Sequence, residues 1–361
     1  MQNGQQNKHL SWFKVENFKC FEAFEMENIG QFNLIFGDNN TGKTTVLEAL
    51  LFDEDFNQFL YNLDGTLDSR GYSVDIINGL NFNHIKTLFN FKKRKYNAKF
   101  NFSKTTFLKK FSFEMYLNTL INLGATLSSK LSNNVTTGSL PRELIIFKTD
   151  TMEETPLSIR FKENKLSYKD YIPFISFSHK YGDDLIKLFS PIQQSKKLKE
   201  TLINSLSLFI LDIEDIELST LYSTLTVIIW LKNIDTPVPL PSFGDGAKKL
   251  FRILVELPIC KHRRLMIDEI DSGIHYSRFK DFWKTILVAA KENDVQIFAT
   301  THNKEALKYF YEALEELPDY QQDARSFTLS RIKDGSVKAY TQTYEQFEHA
   351  LLHDIEIRGR Q

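Results

Sequence analysis

The stretch Gly37-Asp38-Asn39-Asn40-Thr41-Gly42-Lys43-Thr44-Thr45 constrains this chain more than any other, because it satisfies G-x-x-x-x-G-K-[ST] in full. A short apolar run, Phe32–Phe36, precedes it, and Thr45–Phe52 follows with apolar residues at helical spacing. Such a loop works only where a strand hands over to a helix N-terminus. Gly37 and Gly42 let the backbone of Asn39, Asn40 and Thr41 turn its N–H groups inward around a polyphosphate. Lys43 then reaches the terminal phosphates, Thr44 offers a hydroxyl to Mg²⁺, and the helix end at Thr45 adds its positive dipole. With strand, loop and helix in order, the motif implies binding of a nucleoside triphosphate.

A second apolar run, Arg264-Leu265-Met266-Ile267, ends in Asp268-Glu269. Adjacent acids at the end of a buried strand must be desolvated, so they call for a partner. Beside a phosphate loop both have one: Asp268 holds Mg²⁺, and Glu269 orients or deprotonates the attacking water. The turn Asp271–His275 comes next, and then Val295–Thr301, a further apolar strand ending in His302. At a strand end next to the acids, His302 can hydrogen-bond the γ-phosphate or the water, and a catalytic role is the favoured reading.

Bulk properties set the frame. The 361 residues suggest roughly two domains, or one large α/β domain with insertions, and 42% apolar with 25% charged residues is ordinary for a globular chain. The net charge of −1 advertises no global basic field, so any nucleic-acid surface has to be local. Cys20 and Cys260, far apart in sequence, read as small hydrophobes and not as a redox pair. The polar start lacks the apolar segment of a signal peptide, and no apolar run reaches the ~18 residues of a membrane span. A cytoplasmic protein without membrane contact is expected.

Strands are expected at Ser11–Val15, Phe24–Ile29 and Phe32–Phe36, and in four alternating runs beginning at Lys99, Lys110, Glu143 and Leu157. From Asp183 to Leu231 the pattern is read as a mostly helical inserted lobe, ended by Pro237 and Pro239. The expected division is residues 1–182, the first part of the nucleotide core with a strand-rich insert; 183–236, the helical lobe; and 237–361, the second part of the core.

In this order the motifs resemble the ATPase heads of the ABC superfamily, in the branch holding RecF, SMC and OLD-family proteins. The opening Trp12–Lys19 is similar to the strand and "NF(R/K)" start of these heads, and Tyr344–His353 with Ile355–Arg358 to the tails of short standalone OLD- and RecF-like ATPases. The resemblance implies an α/β P-loop fold of ABC-ATPase type, a mixed sheet flanked by helices, with ATP and Mg²⁺ as cofactors. It also implies that Lys19 approaches the nucleotide, although a surface lysine is an equal reading. Relatives carry a Leu-Ser-Gly-Gly-Gln-like loop that meets ATP bound to a second copy. Here the counterpart is Pro241–Leu250, with Ser242, Gly244, Asp245 and Gly246; Gly244 stands in the usual serine position and Asp245 adds a negative charge. Gln193 and Gln194 are candidates for the Q-loop by position alone.

By the same resemblance one head is an incomplete site, and a second copy supplies Gly244–Gly246 and the Ser272–His275 turn, so a homodimer or higher homo-oligomer is expected. No long heptad arms occur, and the segment after His302 has no Glu…Asp-x-Asp arrangement, so neither an SMC machine nor an OLD nuclease is expected. Two roles remain. One is an ATPase that controls a separate effector, a nuclease or toxin, in bacterial anti-phage defence, resembling the ATPase partners of PARIS-, Septu- and retron-type systems. The other is a RecF-like DNA clamp. For the clamp speaks Lys86–Lys110, where Lys92, Lys93, Arg94 and Lys95 interleave with aromatic residues and no acid intervenes; an edge hairpin with lysines in water and phenylalanines in the core fits the same pattern.

Overall fold

Alternating burial shapes the N-terminal strands. The computed structural model describes residues 9–52, 62, 87–90, 97–104, 110–119, 143–149, 154–156, 172–176, 183–220 and 225–352. In it β1 (Leu10–Phe18) pairs antiparallel with β2 (Phe21–Met26), Phe13 opposite Met26 and Val15 opposite Phe24, all four buried. β3 (Phe32–Gly37) is buried at every position, as a strand covered on both faces must be. It feeds through the phosphate loop into α1 (Lys43–Leu50). β4 (Asn97–Lys104), β5 (Lys110–Thr119), β6 (Glu143–Thr149) and β7 (Glu154–Pro156) then continue the first sheet, in the order β2-β1-β4-β5-β6-β7. Three of the four expected runs are therefore strands, and Leu157–Phe161 lies outside the described residues.

The described residues fall into two units. The first comprises those within Met1–Ile29, Thr44–Tyr171 and Ser330–Ala339. Its core is aromatic: the Phe18, Phe52 and Phe100 rings meet edge to face at centroid distances of 5.9, 5.4 and 5.2 Å.

The second unit comprises those within Gly30–Lys43, Ile172–Leu329 and Tyr340–Gln361. Its elements after β3 are β8 (Phe174–Ile175), α2 (Asp183–Gln193), α3 (Lys196–Ser207), β9 (Ile213–Ser219), β10 (Thr226–Leu231), β11 (Val238–Pro239) and α4 (Gly244–Glu256). There follow β12 (Arg264–Ile267), α5 (Phe279–Glu292), β13 (Gln296–Thr301), α6 (Lys304–Glu315), α7 (Pro318–Gln321), β14 (Ala324–Arg331), whose last two residues are assigned to the first unit, β15 (Val337–Gln342), assigned to the second only from Tyr340, and α8 (Tyr344–Leu352). The sheet order is β15-β14-β3-β13-β12-β8, and β14, β3, β13, β12 and β8 run parallel. Parallel neighbours need long crossovers, and α4, α5 and α6 fall in them. The fold is α/β of the P-loop type, a parallel-rich sheet flanked by helices.

The segment expected as a helical lobe is corrected. α2 and α3 stand where the apolar faces indicated, but β9, β10 and β11 form a three-stranded antiparallel sheet in place of further helix. The misread stretch is Asp212–Leu221, placed in the helical lobe although its acidic and apolar residues alternate, as along a strand. A register shift opposite Trp230 and Leu231 lets Ile213 and Ile216, both buried, face inward from β9. The run Thr226-Val227-Ile228-Ile229-Trp230 is β-branched and aromatic, which favours the pleated state.

This segment shares one apolar core with the nucleotide-binding strands. Phe32, Leu34 and Phe36 of β3, Phe189 of α2, Leu206 of α3, Phe251 of α4 and Trp283 of α5 belong to the same cluster. Phe189 and Phe251 meet edge to face at 5.4 Å, and the Trp283 indole N–H donates to Ala306 O at 2.9 Å. Truncating Phe189 to alanine leaves a cavity at fully buried positions, and a loss of about 3–5 kcal/mol is expected in denaturant unfolding. An unchanged midpoint would show that α2 is not part of this core.

Candidate nucleoside triphosphate site

The phosphate loop leaves β3 at a point where only glycine fits. Gly37 pairs with Leu329, and a Cβ on it would lie 2.8 Å from Leu329 O and 3.0 Å from the Thr41 hydroxyl. Asn40 (φ 63°) and Gly42 (φ 95°) curl the loop, whose Asp38, Asn39 and Asn40 are exposed. The Thr41 hydroxyl donates to Asp38 O at 2.8 Å and braces the turn. Lys43 is buried and folds back over the loop: its ammonium donates to Gly37 O at 2.8 Å and to Asp38 O at 2.9 Å. With Thr44 and Thr45 it forms the first turn of α1, Thr44 exposed.

Burial lowers the Lys43 pKa, and the carboxylates of Asp268, Glu269, Asp38 and Asp271, in that order, act to hold it up. The two halves of the sequence motif thus converge on one ammonium. Asp268 follows β12 directly and is buried, its N–H donating to Ile175 O at 2.9 Å. The Thr300 hydroxyl donates to Asp268 Oδ1 and accepts the Glu269 N–H at 2.9 Å. The Thr301 hydroxyl donates to Asp271 Oδ1 at 2.7 Å. Glu269 is partly exposed and adopts a left-handed backbone, φ 45°. His302 is exposed immediately beyond Thr301, where β13 ends.

Three residues that sequence reasoning passed over therefore hold the acids. Thr300 and Thr301 fall there within an apolar strand, and Lys249 within the signature-like stretch Pro241–Leu250. Lys249 is buried in the second turn of α4, and its ammonium donates to Glu269 O and, at 2.8 Å, to Ser272 Oγ. Burial brings its pKa down to about 8, against the pull of Asp271, Asp268 and Glu269. The available signal was the pair Thr300-Thr301 directly before His302, hydroxyls at a strand end facing a second strand that ends in acids.

The signature-like loop opens α4. Ser242 lies exposed in a 3-10 turn, Gly244 is exposed with φ 85°, Asp245 is exposed and pairs with Lys248, and Gly246 is buried. Gln193 accepts the Leu218 N–H at 3.0 Å and so ties α2 to β9. Lys19 is not a surface lysine: it is buried and ion-paired with Glu48 of α1. Lys92, Lys93, Arg94 and Lys95 lie outside the described residues. Phe89, Phe100 and Phe102 are buried in the first unit, so their faces are not presented to nucleic-acid bases, and β4 is an interior strand and not the edge of a hairpin. Among the described residues no helix is long and apolar enough to cross a membrane.

Fold and site together define a P-loop ATPase, an ATP-hydrolysing enzyme. Residues 32–308 match the family described as "AAA domain, putative AbiEii toxin, Type IV TA system", and the chain belongs to that family. It is 23% identical over 363 residues to an "ATP/GTP phosphatase" of Helicobacter pylori, covering 88% of this chain and 91% of that protein. A shorter likeness, 40% identity over 62 residues, relates 16% of the chain to 28% of an uncharacterized protein of Methanocaldococcus jannaschii. Among solved structures, an SMC head bound to the C-winged helix domain of ScpA is similar at TM-score 0.49 and 13% identity, covering 93% of this chain and 99% of that one. The SMC head domain from Thermotoga maritima gives 0.44 and 12%, covering 92% and 99%.

Replacing Thr300 by valine keeps the strand's shape but leaves Asp268 Oδ1 and the Glu269 N–H without their shared hydroxyl. Hydrogen bonds to charged groups are worth about 1.5–3 kcal/mol, so a loss of that size in stability and at least tenfold slower ATP turnover are expected. Wild-type turnover in Thr300→Val would remove the hydroxyl from the site.

Proposed function

We propose that this chain is an ABC-type ATPase whose copies close head to head on ATP, and that this assembly controls a partner effector, a nuclease or toxin, in bacterial anti-phage defence. The observation that carries the enzymatic half is the Lys43 ammonium, bound to its own loop carbonyls within the field of Asp268 and Glu269. When a triphosphate enters, the ammonium exchanges the Gly37 and Asp38 carbonyls for phosphate oxygens, and the loop N–H groups take the rest of the polyphosphate. Glu269 accepts the proton of the attacking water, and His302, exposed at the end of β13, donates to the γ-phosphate.

Mg²⁺ is a hard ion that takes oxygen ligands, and the Asp268 carboxylate, oriented by Thr300, is a donor of that kind; the Thr44 hydroxyl, next to Lys43 in the chain, is the second ligand the motif assigns. The ion supplies charge neutralisation of the phosphates. The assembly half is supported by the α4 entrance. Among the described residues nothing lies within 4 Å of where a Cβ on Gly244 would be, which leaves the backbone there open to a second copy. The effector half is supported by the family's description, which names a toxin and a type IV TA system.

Glu269→Gln is expected to bind ATP and Mg²⁺ but turn over at least a hundredfold more slowly, and to run as a dimer or larger species in light scattering only when ATP is present. Lys43→Ala should bind no fluorescent ATP analogue. Turnover by Glu269→Gln at the wild-type rate would remove the base, and a monomer at every nucleotide concentration would remove the head-to-head assembly. Co-expression with neighbouring open reading frames should yield a complex whose composition changes with ATP; an ATPase that never retains a partner argues against effector control.

A further inference from the structure

The turn that carries Glu269 is gripped from two sides. From β13, Thr300 holds Asp268 and the Glu269 N–H, the Ile270 N–H donates to Thr300 O at 2.9 Å, and Thr301 holds Asp271. From α4 come Lys249 and Gly246. A Cβ on Gly246 would lie 2.9 Å from Gly273 O, so the helix entrance packs directly on the turn, and only glycine allows that approach. The Glu269 carbonyl is where these supports meet, because it accepts both the Ser272 N–H at 2.9 Å and the Lys249 ammonium.

That carbonyl belongs to a residue in a costly conformation. A side chain other than glycine in the left-handed region costs about 1–2 kcal/mol, and it persists only where its surroundings hold it. Burying an ammonium is also unfavourable unless its donors are engaged, and two of the three on Lys249 are engaged on this turn. An apolar residue of similar length would pack the same space at lower cost, so the lysine serves something other than stability.

We propose that Lys249 is a positioning residue for hydrolysis: by holding the Glu269 carbonyl and the Ser272 hydroxyl it keeps the Glu269 backbone left-handed and its carboxylate aimed, and it links the Gly244–Gly246 loop rigidly to the base. The role rests on the reading of Glu269 as that base. It makes the helix entrance and the acid one mechanical piece, so a disturbance of Gly244–Gly246 is felt at Glu269 through five residues of helix and one ammonium.

The test compares Lys249→Met, Ser272→Ala, the double variant and Glu269→Gln, using ATP with Mg²⁺. Lys249→Met should lower kcat about 10–100-fold, the range that a misplacement of the order of an ångström produces. KM and affinity for a fluorescent ATP analogue should stay within about threefold, and the melting temperature should hold or rise. Ser272→Ala should lower kcat by about three- to tenfold, and adding it to Lys249→Met should cost nothing further, since both act through one contact. Wild-type kcat in Lys249→Met, a parallel loss of ATP affinity, or additive effects would overturn the proposal. If Lys249→Met fails to fold, Ser272→Ala decides alone, and an unchanged kcat there overturns it. A slow Glu269→Gln with a fast Lys249→Met rejects only the positioning role; a fast Glu269→Gln rejects the base itself.

Discussion

Two buried lysines facing one group of carboxylates organise the second unit. Lys43 comes from the phosphate loop and Lys249 from α4, and each loses basicity by burial while Asp268, Glu269 and Asp271 act to restore it. Neither lysine nor acid could sit there alone at tolerable cost, because an unpaired charge out of water is heavily penalised. The parallel sheet is what allows the meeting. Gly37 lies level with Leu329, Phe36 with Thr301, and Ile267 with Ala299, so β3, β13 and β12 release their chains at neighbouring points. In open parallel sheets that carboxyl end is where ligands bind, and here three strands deliver the phosphate loop, the hydroxyls and the acids to it.

What could be read in the sequence was whatever is local in the chain. The phosphate loop is a backbone shape fixed by nine consecutive residues, and Asp268-Glu269 is a pair at the end of a four-residue apolar strand. Both are visible without knowing what packs against them. Thr300 and Lys249 are not. Their function is a hydrogen bond to residues 20–32 positions away in sequence, and nothing in a threonine within a β-branched strand reports which oxygen it faces. The same applies to Lys19, whose partner Glu48 lies on a different element. β9 is missed for another reason: its alternating acidic and apolar residues follow closely on α3 and read as a continuation of the helical lobe. The phenylalanines of β4 were legible as half of an alternating pattern, but which face met a core depends on β1 and β5 on either side.

Charge also bears on the proposed joint binding of nucleotide and metal. Asp38, Asp268, Glu269 and Asp271 already surround Lys43, and a bare triphosphate adds several more negative charges to the same place. At separations of about 4 Å, even with an effective dielectric of about 20, each added pair of like charges costs about 4 kcal/mol. One ammonium cannot offset that while it also holds the Gly37 and Asp38 carbonyls. On the function proposed above, a divalent ion brought with the phosphates would change the sum, with Asp268 as its ligand in place of a repelling neighbour. The acids that disfavour a bare anion at the loop would then be the ones that favour the metal-bound nucleotide. On that proposal, selectivity for the complex over free ATP would follow from the arrangement of charge, before any contact with the base or ribose is considered.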